Sequence, residues 1–133
     1  MILEDNDERI RAFESAVASL GSDFTLRLWR DAPTMIAECG DSIGDACLIS
    51  LDHDLAPLPG SSTDPGTGLE VAEFLSRYQP SCPVILHTSN HERRWSMHNE
   101  FRFAGWSIEI VAPIGDDWIP GSWLSRARAL IGV

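Results

Sequence analysis

The stretch Ala46-Cys47-Leu48-Ile49-Ser50-Leu51-Asp52-His53-Asp54 decides the fold of this protein. Its first six residues are almost entirely apolar, as expected of a central parallel strand that is buried on both faces. Two aspartates and a histidine follow at once, at the point where such a strand would end. Ligands of open α/β sheets bind outside the carboxyl ends of the strands, so the pattern predicts functional side chains at this end.

Strand-like and helix-like segments alternate on both sides of this stretch. We predict a single domain over residues 1–133, because there is no internal repeat and the length suits one core. Five β-α units imply an α/β fold with a parallel five-stranded sheet and helices on both faces. Residues 57–68 are rich in Pro, Gly and Ser, which predicts a long loop that could fold over a ligand. The predicted strands are 1–4, 24–29, 46–51, 83–87 and 106–111, and the predicted helices are 8–20, 32–39, 69–78, 92–104 and 122–131.

The composition excludes several classes of function. A net charge of −10 argues against diffuse binding to bulk nucleic acid or to an anionic membrane. No apolar stretch approaches the roughly 18 residues of a membrane span, and no cationic leader precedes one, so we expect a cytoplasmic protein that starts at residue 1. The three cysteines lack CxxC spacing, which favours reduced thiols. All ten cationic residues are arginines, which excludes any mechanism that needs a lysine ammonium group.

Acidic residues close two of the predicted strands. Glu4 and Asp5 follow the first apolar run, and Asp52 and Asp54 follow the third. If these strands are parallel neighbours, their carboxylates meet at one edge and repel one another unless a cation lies between them. Such oxygen ligands suit Mg²⁺ or another hard divalent cation, so these four acids form the predicted metal site. The alternative is a set of solvated loop acids or helix N-caps.

Histidines and small polar residues lie beside the acids in the predicted topology. His53 and His87 each lie at the end of a predicted strand and could transfer protons to and from a phosphoester, although a purely structural role is the alternative for each. Thr88, Ser89 and Asn90 could donate hydrogen bonds to phosphate oxygens. The alternative for these three is an N-cap for the helix that begins near residue 92.

The order of these motifs resembles that of the receiver-domain superfamily of response regulators, over essentially all 133 residues. Glu4-Asp5 matches the acidic pair after the first strand, Asp52 matches the phosphoacceptor, and Thr88 matches the residue that ends the fourth strand. The resemblance implies a flavodoxin-like (βα)5 sandwich with strand order 2-1-3-4-5 and an acidic pocket for Mg²⁺, to which Asp54 would contribute. One element departs from the family pattern, because Ala112-Pro113 stands where receivers carry Lys-Pro.

Two short motifs, Leu51-Asp52-His53-Asp54-Leu55 and His87-Thr88-Ser89-Asn90, are similar to those of the cyclic-phosphate processing receiver domains. This resemblance implies that the protein binds or hydrolyses a cyclic phosphate, on a nucleotide or an RNA end, as a metal-dependent phosphoesterase. Asp52, His53 and His87 would then be catalytic. In one alternative, Asp52 is a plain phosphoacceptor in signalling, which the missing lysine disfavours. In the other, the chain is a non-catalytic pseudo-receiver that acts through a separate protein partner.

Overall fold

The structure of the protein is a computed structural model that describes all 133 residues. Its centre is a parallel sheet of five short strands. The strands are β1 (Ile2–Leu3), β2 (Leu28–Trp29), β3 (Ile49–Leu51), β4 (Val84–Leu86) and β5 (Ile108–Ile110). Their order in the sheet is β2-β1-β3-β4-β5, and every neighbouring pair is parallel. The predicted flavodoxin-like fold and its strand order are therefore confirmed.

Five α-helices connect the strands, and local capping explains where most of them begin. A side-chain oxygen at each of the first four N-caps accepts a backbone N–H from three residues further on; these caps are Asn6, Asp31, Thr67 and Asn90. None of the helices combines the length and the apolar character that a membrane crossing would need. The helices are α1 (Asp7–Ala18), α2 (Ala32–Glu38), α3 (Gly68–Leu75), α4 (His91–Phe103) and α5 (Leu124–Ile131), with a 3₁₀-helix at Cys39–Asp45 and a π-helical turn at Ile119–Trp123.

Several elements are shorter than the sequence pattern predicts. Residues 24–27 lie outside strand β2 although they alternate like a strand, and the first and third helices end at Ala18 and Leu75. Alternation of apolar and polar residues reports which side chains face the core, but it does not report which backbone groups find a partner strand. The sequence pattern therefore could not predict the strand boundaries, which are set by the backbone hydrogen bonds between neighbouring strands.

The sheet separates two apolar cores, one on each of its faces. In β4, Val84 and Leu86 belong to one core and Ile85 to the other, because successive side chains of a strand alternate. Helices α2, α3 and α4 cover the first core, with Met35, Leu75 and Phe101 fully buried there. Helix α1, the π-helical turn and α5 cover the second core with Phe13, Ile119, Trp123 and Ala127.

The register of the three central strands determines which side chains meet at the carboxyl edge. Leu3 pairs with Leu51, and Leu51 pairs with Leu86. The backbone ladder continues one residue further, since the Asp52 N–H donates to the Leu3 carbonyl at 3.1 Å and the His87 N–H donates to the Leu51 carbonyl at 2.9 Å. The next residue of all three strands therefore lies at the same level, on the face that carries the second core.

We predict that Gly68→Ala destabilises the protein by at least the cost of overpacking a core, about 1–3 kcal/mol. A Cβ atom on Gly68 would collide with the Asp52 carbonyl oxygen and would lie 2.9 Å from the Cα of His53. These are backbone atoms that cannot rotate away, so the segment after β3 would have to move. Urea unfolding measures the free energy of unfolding directly.

The control for this prediction is Gly44→Ala, at a glycine whose added Cβ would have no neighbour within 4 Å. Both substitutions reduce the freedom of the unfolded chain in the same way. A Gly68→Ala protein as stable as the Gly44→Ala protein would contradict the close approach between α3 and the segment after β3.

Candidate functional site

Three buried polar side chains converge at the carboxyl edge of the sheet: Glu4 after β1, Asp52 after β3 and His87 after β4. One ligand atom from each lies within 4.8 Å of the others. Glu4 and His87 are fully buried, and Asp52 is only 5% exposed. Two carboxylates and an imidazole rarely share so little solvent without a cation or a proton between them, so this cluster is the candidate functional site.

Glu4 is the most tightly held member of the cluster. Its Oε2 accepts the backbone N–H of Asp5 at 3.0 Å and that of Asn6 at 3.1 Å. Its Oε1 lies 3.3 Å from His87 Nε2, yet both atoms are buried without a hydrogen-bond partner. Burial by itself would raise the pKa of Glu4, but His87, the Asn6 N–H and Arg9 outweigh it and hold the pKa below its ordinary value of 4.5. Glu4 is therefore the member of the cluster that stays ionised.

Asp52 is the carboxyl group whose charge is least satisfied. Its Oδ1 accepts the backbone N–H of His53 at 2.7 Å, while its Oδ2 lies 3.9 Å from the Arg9 guanidinium. Burial raises the pKa of Asp52 to about 6 from 3.8, against the opposing effects of His87 and Arg9, and the charge of Glu4 adds to the rise. A cation placed beside Asp52 would lower this pKa again.

Arg9 supplies the positive charge next to the cluster, and the sequence patterns did not identify it. Its Nη1 lies 3.8 Å from Glu4 and 3.9 Å from Asp52, and its guanidinium lies over the Trp118 ring at 5.4 Å. Arg9 sits in the first turn of α1. Its position three residues after the N-cap Asn6, on the helix that follows β1, is the signal that could have found it.

The other predicted metal ligands, Asp5 and Asp54, make contacts of their own. Asp5 Oδ2 accepts the backbone N–H of Ala56 at 2.7 Å, which ties the segment after β3 to the end of β1. Burial raises the pKa of Asp5, and the nearby Glu4 charge acts in the same direction. Asp54 is exposed and bonds to His53 Nδ1 at 2.9 Å and to the Asn90 amide at 3.3 Å. His87 therefore joins Glu4 and Asp52 in the buried cluster, while Asp54 lies in a separate group with His53.

The predicted phosphate-binding residues line the start of α4. Thr88 is buried, and its Oγ1 accepts the Asn90 backbone N–H at 3.1 Å. The Asn90 side chain accepts the Arg93 backbone N–H at 3.1 Å, so Asn90 is the N-cap of α4. Ser89 is exposed and makes no side-chain hydrogen bond within the protein. The capping alternative therefore holds for Asn90, and it leaves its amide group free to contact Asp54.

Two cavities lie at opposite edges of the sheet. One, of about 420 Å³, lies between residues 5–7 and 56–59, with Arg30 in its wall, and therefore adjoins the acidic cluster. The other, of about 330 Å³, lies at the amino-terminal edge and is lined mostly by apolar residues such as Leu26, Leu48 and Ile131. Only the first cavity brings charged groups together with the carboxyl ends of the strands, where α/β sheets bind ligands.

Comparisons with known proteins identify the family of this chain and support its fold. A family model described as the cyclic-phosphate processing receiver domain matches residues 3–103. A crystal structure of a response regulator receiver domain from Rhodospirillum rubrum superposes with a TM-score of 0.62 at 15% identity, over 98% of this chain and 89% of that one. A pilus assembly-related protein from Burkholderia pseudomallei gives a TM-score of 0.57 at 17% identity, over 97% and 87%. At these identities the two structures support the fold alone. No curated protein matches the chain.

We predict that Asp52→Asn stabilises the metal-free protein above about pH 6, by at most about 3 kcal/mol at roughly 1.36 kcal/mol per pKa unit. The folded-state pKa of Asp52 is raised above its unfolded value. Its contribution to stability is therefore fully present below pH 3.8 and is lost as the pH rises through about 6. Asn keeps the oxygen that accepts the His53 N–H but carries no charge. Urea unfolding across this pH range, without divalent ions, measures the difference.

The control is Asp23→Asn, at an exposed aspartate near the opposite edge of the sheet. It should leave the free energy of unfolding nearly unchanged across the same pH range. If the Asp52→Asn and wild-type stability curves run parallel at all pH values, the buried charge at Asp52 is not the cause of the pH dependence.

Proposed function

We propose a function from one premise, which is that this chain belongs to the cyclic-phosphate processing receiver domains, whose family model matches residues 3–103. We infer that its acidic pocket holds Mg²⁺ and hydrolyses a cyclic phosphodiester, on a nucleotide or at an RNA end. One observation carries this proposal. Glu4 and Asp52 are buried with His87, their ligand atoms lie within 4.8 Å of one another, and Arg9 comes no closer than 3.8 Å to either carboxylate, so the pocket holds two buried carboxylates that a bound cation would neutralise.

The carboxylates of the pocket fit a hard divalent cation. Glu4 and Asp52 offer oxygen ligands, and the nearest protein cation, Arg9, is 3.8 Å or more from both. Asp5 adjoins them, and one of its oxygens is already used by the Ala56 N–H. We assign the metal to Glu4 and Asp52, with Asp5 and Asp54 as further candidates through direct or water-mediated contact. When bound, the ion would neutralise the charge that builds up on the phosphate oxygens.

His53 is the residue that we propose for proton transfer from water. Its Nδ1 lies 2.9 Å from Asp54 Oδ1, and this pairing leaves Nε2 as the proton acceptor when Nδ1 carries the hydrogen. Asn90 donates to the other oxygen of Asp54 at 3.3 Å and so fixes the carboxylate. A carboxylate that orients an imidazole in this way favours the tautomer that a general base needs.

The start of α4 and the neighbouring cavity would hold the rest of the substrate. The exposed Ser89 hydroxyl and the free backbone N–H groups at the start of the 13-residue α4 suit phosphate oxygens. The cavity of about 420 Å³ beside Asp5 is large enough for a nucleoside, and Arg30, which pairs with Asp7 in the wall of this cavity, would have to exchange that partner to contact a second phosphate. We therefore favour a nucleotide or an RNA end over a small inorganic phosphoester.

We predict that Mg²⁺ raises the thermal stability of the wild-type protein, by about 2.7 kcal/mol at a concentration 100 times the Kd. Asp52→Asn should abolish most of this gain because it removes one oxyanion ligand, whereas Asp23→Asn should retain it. Thermal unfolding with and without Mg²⁺ measures both effects. If Mg²⁺ stabilises neither the wild type nor the Asp23→Asn protein, the pocket does not bind the ion and a pseudo-receiver role is favoured.

We predict that His53→Gln lowers kcat for a nucleoside 2′,3′-cyclic phosphate by about 100-fold or more, while Mg²⁺ affinity changes little. Gln keeps a polar side chain of similar length but cannot take up a proton. Phosphorus NMR of the reaction measures turnover. The matched control is His98→Gln, at a histidine that stacks on Trp95 in α4. Equal turnover by the His53→Gln and His98→Gln proteins would reject the role of His53.

The mass of the intact protein distinguishes signalling through a phosphorylated Asp52 from hydrolysis of a cyclic phosphate. Incubation with Mg²⁺ and a small phosphodonor, followed by intact-mass measurement, would show a lasting phosphoryl group on Asp52 if the protein were a phosphoacceptor. Hydrolytic function predicts that no such adduct persists. The residues at the end of β5 include no lysine to stabilise an acyl phosphate, since Ala112-Pro113 stands there.

A further inference from the structure

A chain of three buried polar side chains runs from the C-terminal part of the protein to the candidate site. Trp123, in the π-helical turn before α5, donates its Nε1–H to Ser50 Oγ at 3.0 Å. Ser50 Oγ in turn lies 2.7 Å from His87 Nδ1. The opposite ring nitrogen of His87, Nε2, faces Glu4 Oε1 at 3.3 Å. All three side chains are at most 1% exposed, so each hydrogen must find its acceptor inside the chain.

The donors in this chain determine where the hydrogen on His87 lies. The indole of Trp123 can only donate, so Ser50 Oγ accepts from it and keeps its own hydrogen to give. His87 Nδ1 is the one side-chain partner within hydrogen-bond distance of that hydroxyl apart from the indole. If Ser50 donates to Nδ1, then Nδ1 is the acceptor and Nε2 carries the hydrogen of the neutral ring.

The opposite arrangement leaves two groups unsatisfied. With the hydrogen on Nδ1, the Ser50 hydroxyl would have no acceptor, and the lone pair of Nε2 would face the carboxylate of Glu4 at 3.3 Å. A buried group without a partner loses its hydration with nothing in return, so this arrangement is the less stable one. The ring is also held in place, since it packs against Phe13 at 5.1 Å and Trp118 at 5.7 Å, which hinders the flip that would exchange the two nitrogens.

We infer that Ser50 and Trp123 are positioning residues that hold His87 as the Nε2–H tautomer, so that His87 is a hydrogen-bond donor in the pocket and not a metal ligand. An Nε2 that carries a hydrogen has no lone pair for a cation, although it lies in the same cluster as two carboxylates. It can donate to the Glu4 carboxylate and so keep Glu4 oriented as a ligand. This role in the reaction rests on the proposed function, whereas the tautomer itself does not.

The experiment is nitrogen NMR of the histidine side chains in the full-length protein at mildly alkaline pH, with and without Mg²⁺. The two tautomers and the doubly protonated ring give different nitrogen shifts and coupling patterns. The His87 signals are assigned as those lost in His87→Gln. We expect an Nε2–H ring in both conditions. A hydrogen on Nδ1, a doubly protonated ring, or loss of the Nε2 hydrogen when Mg²⁺ is added would each overturn the inference.

Two variants test the positioning residues. Ser50→Ala removes the hydroxyl that donates to Nδ1, and Trp123→Phe removes the indole N–H while keeping an aromatic ring against Phe13. Both should shift the His87 nitrogen signals, by a tautomer change in Ser50→Ala and by a smaller change in Trp123→Phe. The exposed Ser89→Ala is the control and should leave them unchanged. Unchanged His87 signals in the folded Trp123→Phe protein, or an Nδ1–H ring in the wild type, would refute the inference. Both measurements can be made even if the Ser50→Ala protein does not fold.

The outcome for the proposed function is separate. An Nε2–H ring in a protein that turns over no cyclic phosphate would reject the proposed function and leave the tautomer inference standing. Turnover by a protein whose His87 carries its hydrogen on Nδ1 would support the proposed function and reject the tautomer inference.

Discussion

The alignment of β1, β3 and β4 is the constraint on which the site depends. Parallel strands in this register place the residue after each strand at one level, and period-two geometry turns all three side chains to the same face. Glu4, Asp52 and His87 therefore meet without any long loop having to bring them together. A shift of one residue in any of these strands would move its polar side chain to the other face and leave it buried in the apolar core.

The charge within this cluster explains why the pocket is suited to a ligand. Two carboxylates are buried beside one arginine, which approaches neither of them closer than 3.8 Å. Glu4 accepts hydrogen bonds from backbone N–H groups and stays ionised. The cost of burying a second negative charge therefore falls on Asp52, whose pKa rises to about 6. A proton or a bound cation would relieve this cost. The stability of the protein and the charge of its candidate site therefore depend on the same group, the Asp52 carboxyl.

The second core and the functional site are continuous with each other. Phe13 and Trp123 pack edge to face at 4.9 Å in that core, and the same Trp123 donates to Ser50, which reaches His87. Ser50 is the one polar residue within β3, and its place is explained by this hydrogen-bonded chain. A chain of buried side chains at hydrogen-bond distance therefore connects the π-helical turn before α5 to the His87 imidazole at the carboxyl edge of the sheet.

The sequence by itself determined the fold class and the edge of the sheet at which the acids gather, because alternating segments and the buried run before Asp52 depend only on local pattern, while the strand order followed from the resemblance of its motifs to those of receiver domains. It also named Glu4, Asp52 and His87, though not as one cluster. Only the tertiary structure decided that His87 joins the buried acids, that Asp54 lies with His53, and that Arg9 is the neighbouring cation. These choices depend on strand register, on the direction of each side chain and on the approach of α1, and no local pattern in the chain specifies contacts between residues so far apart in sequence.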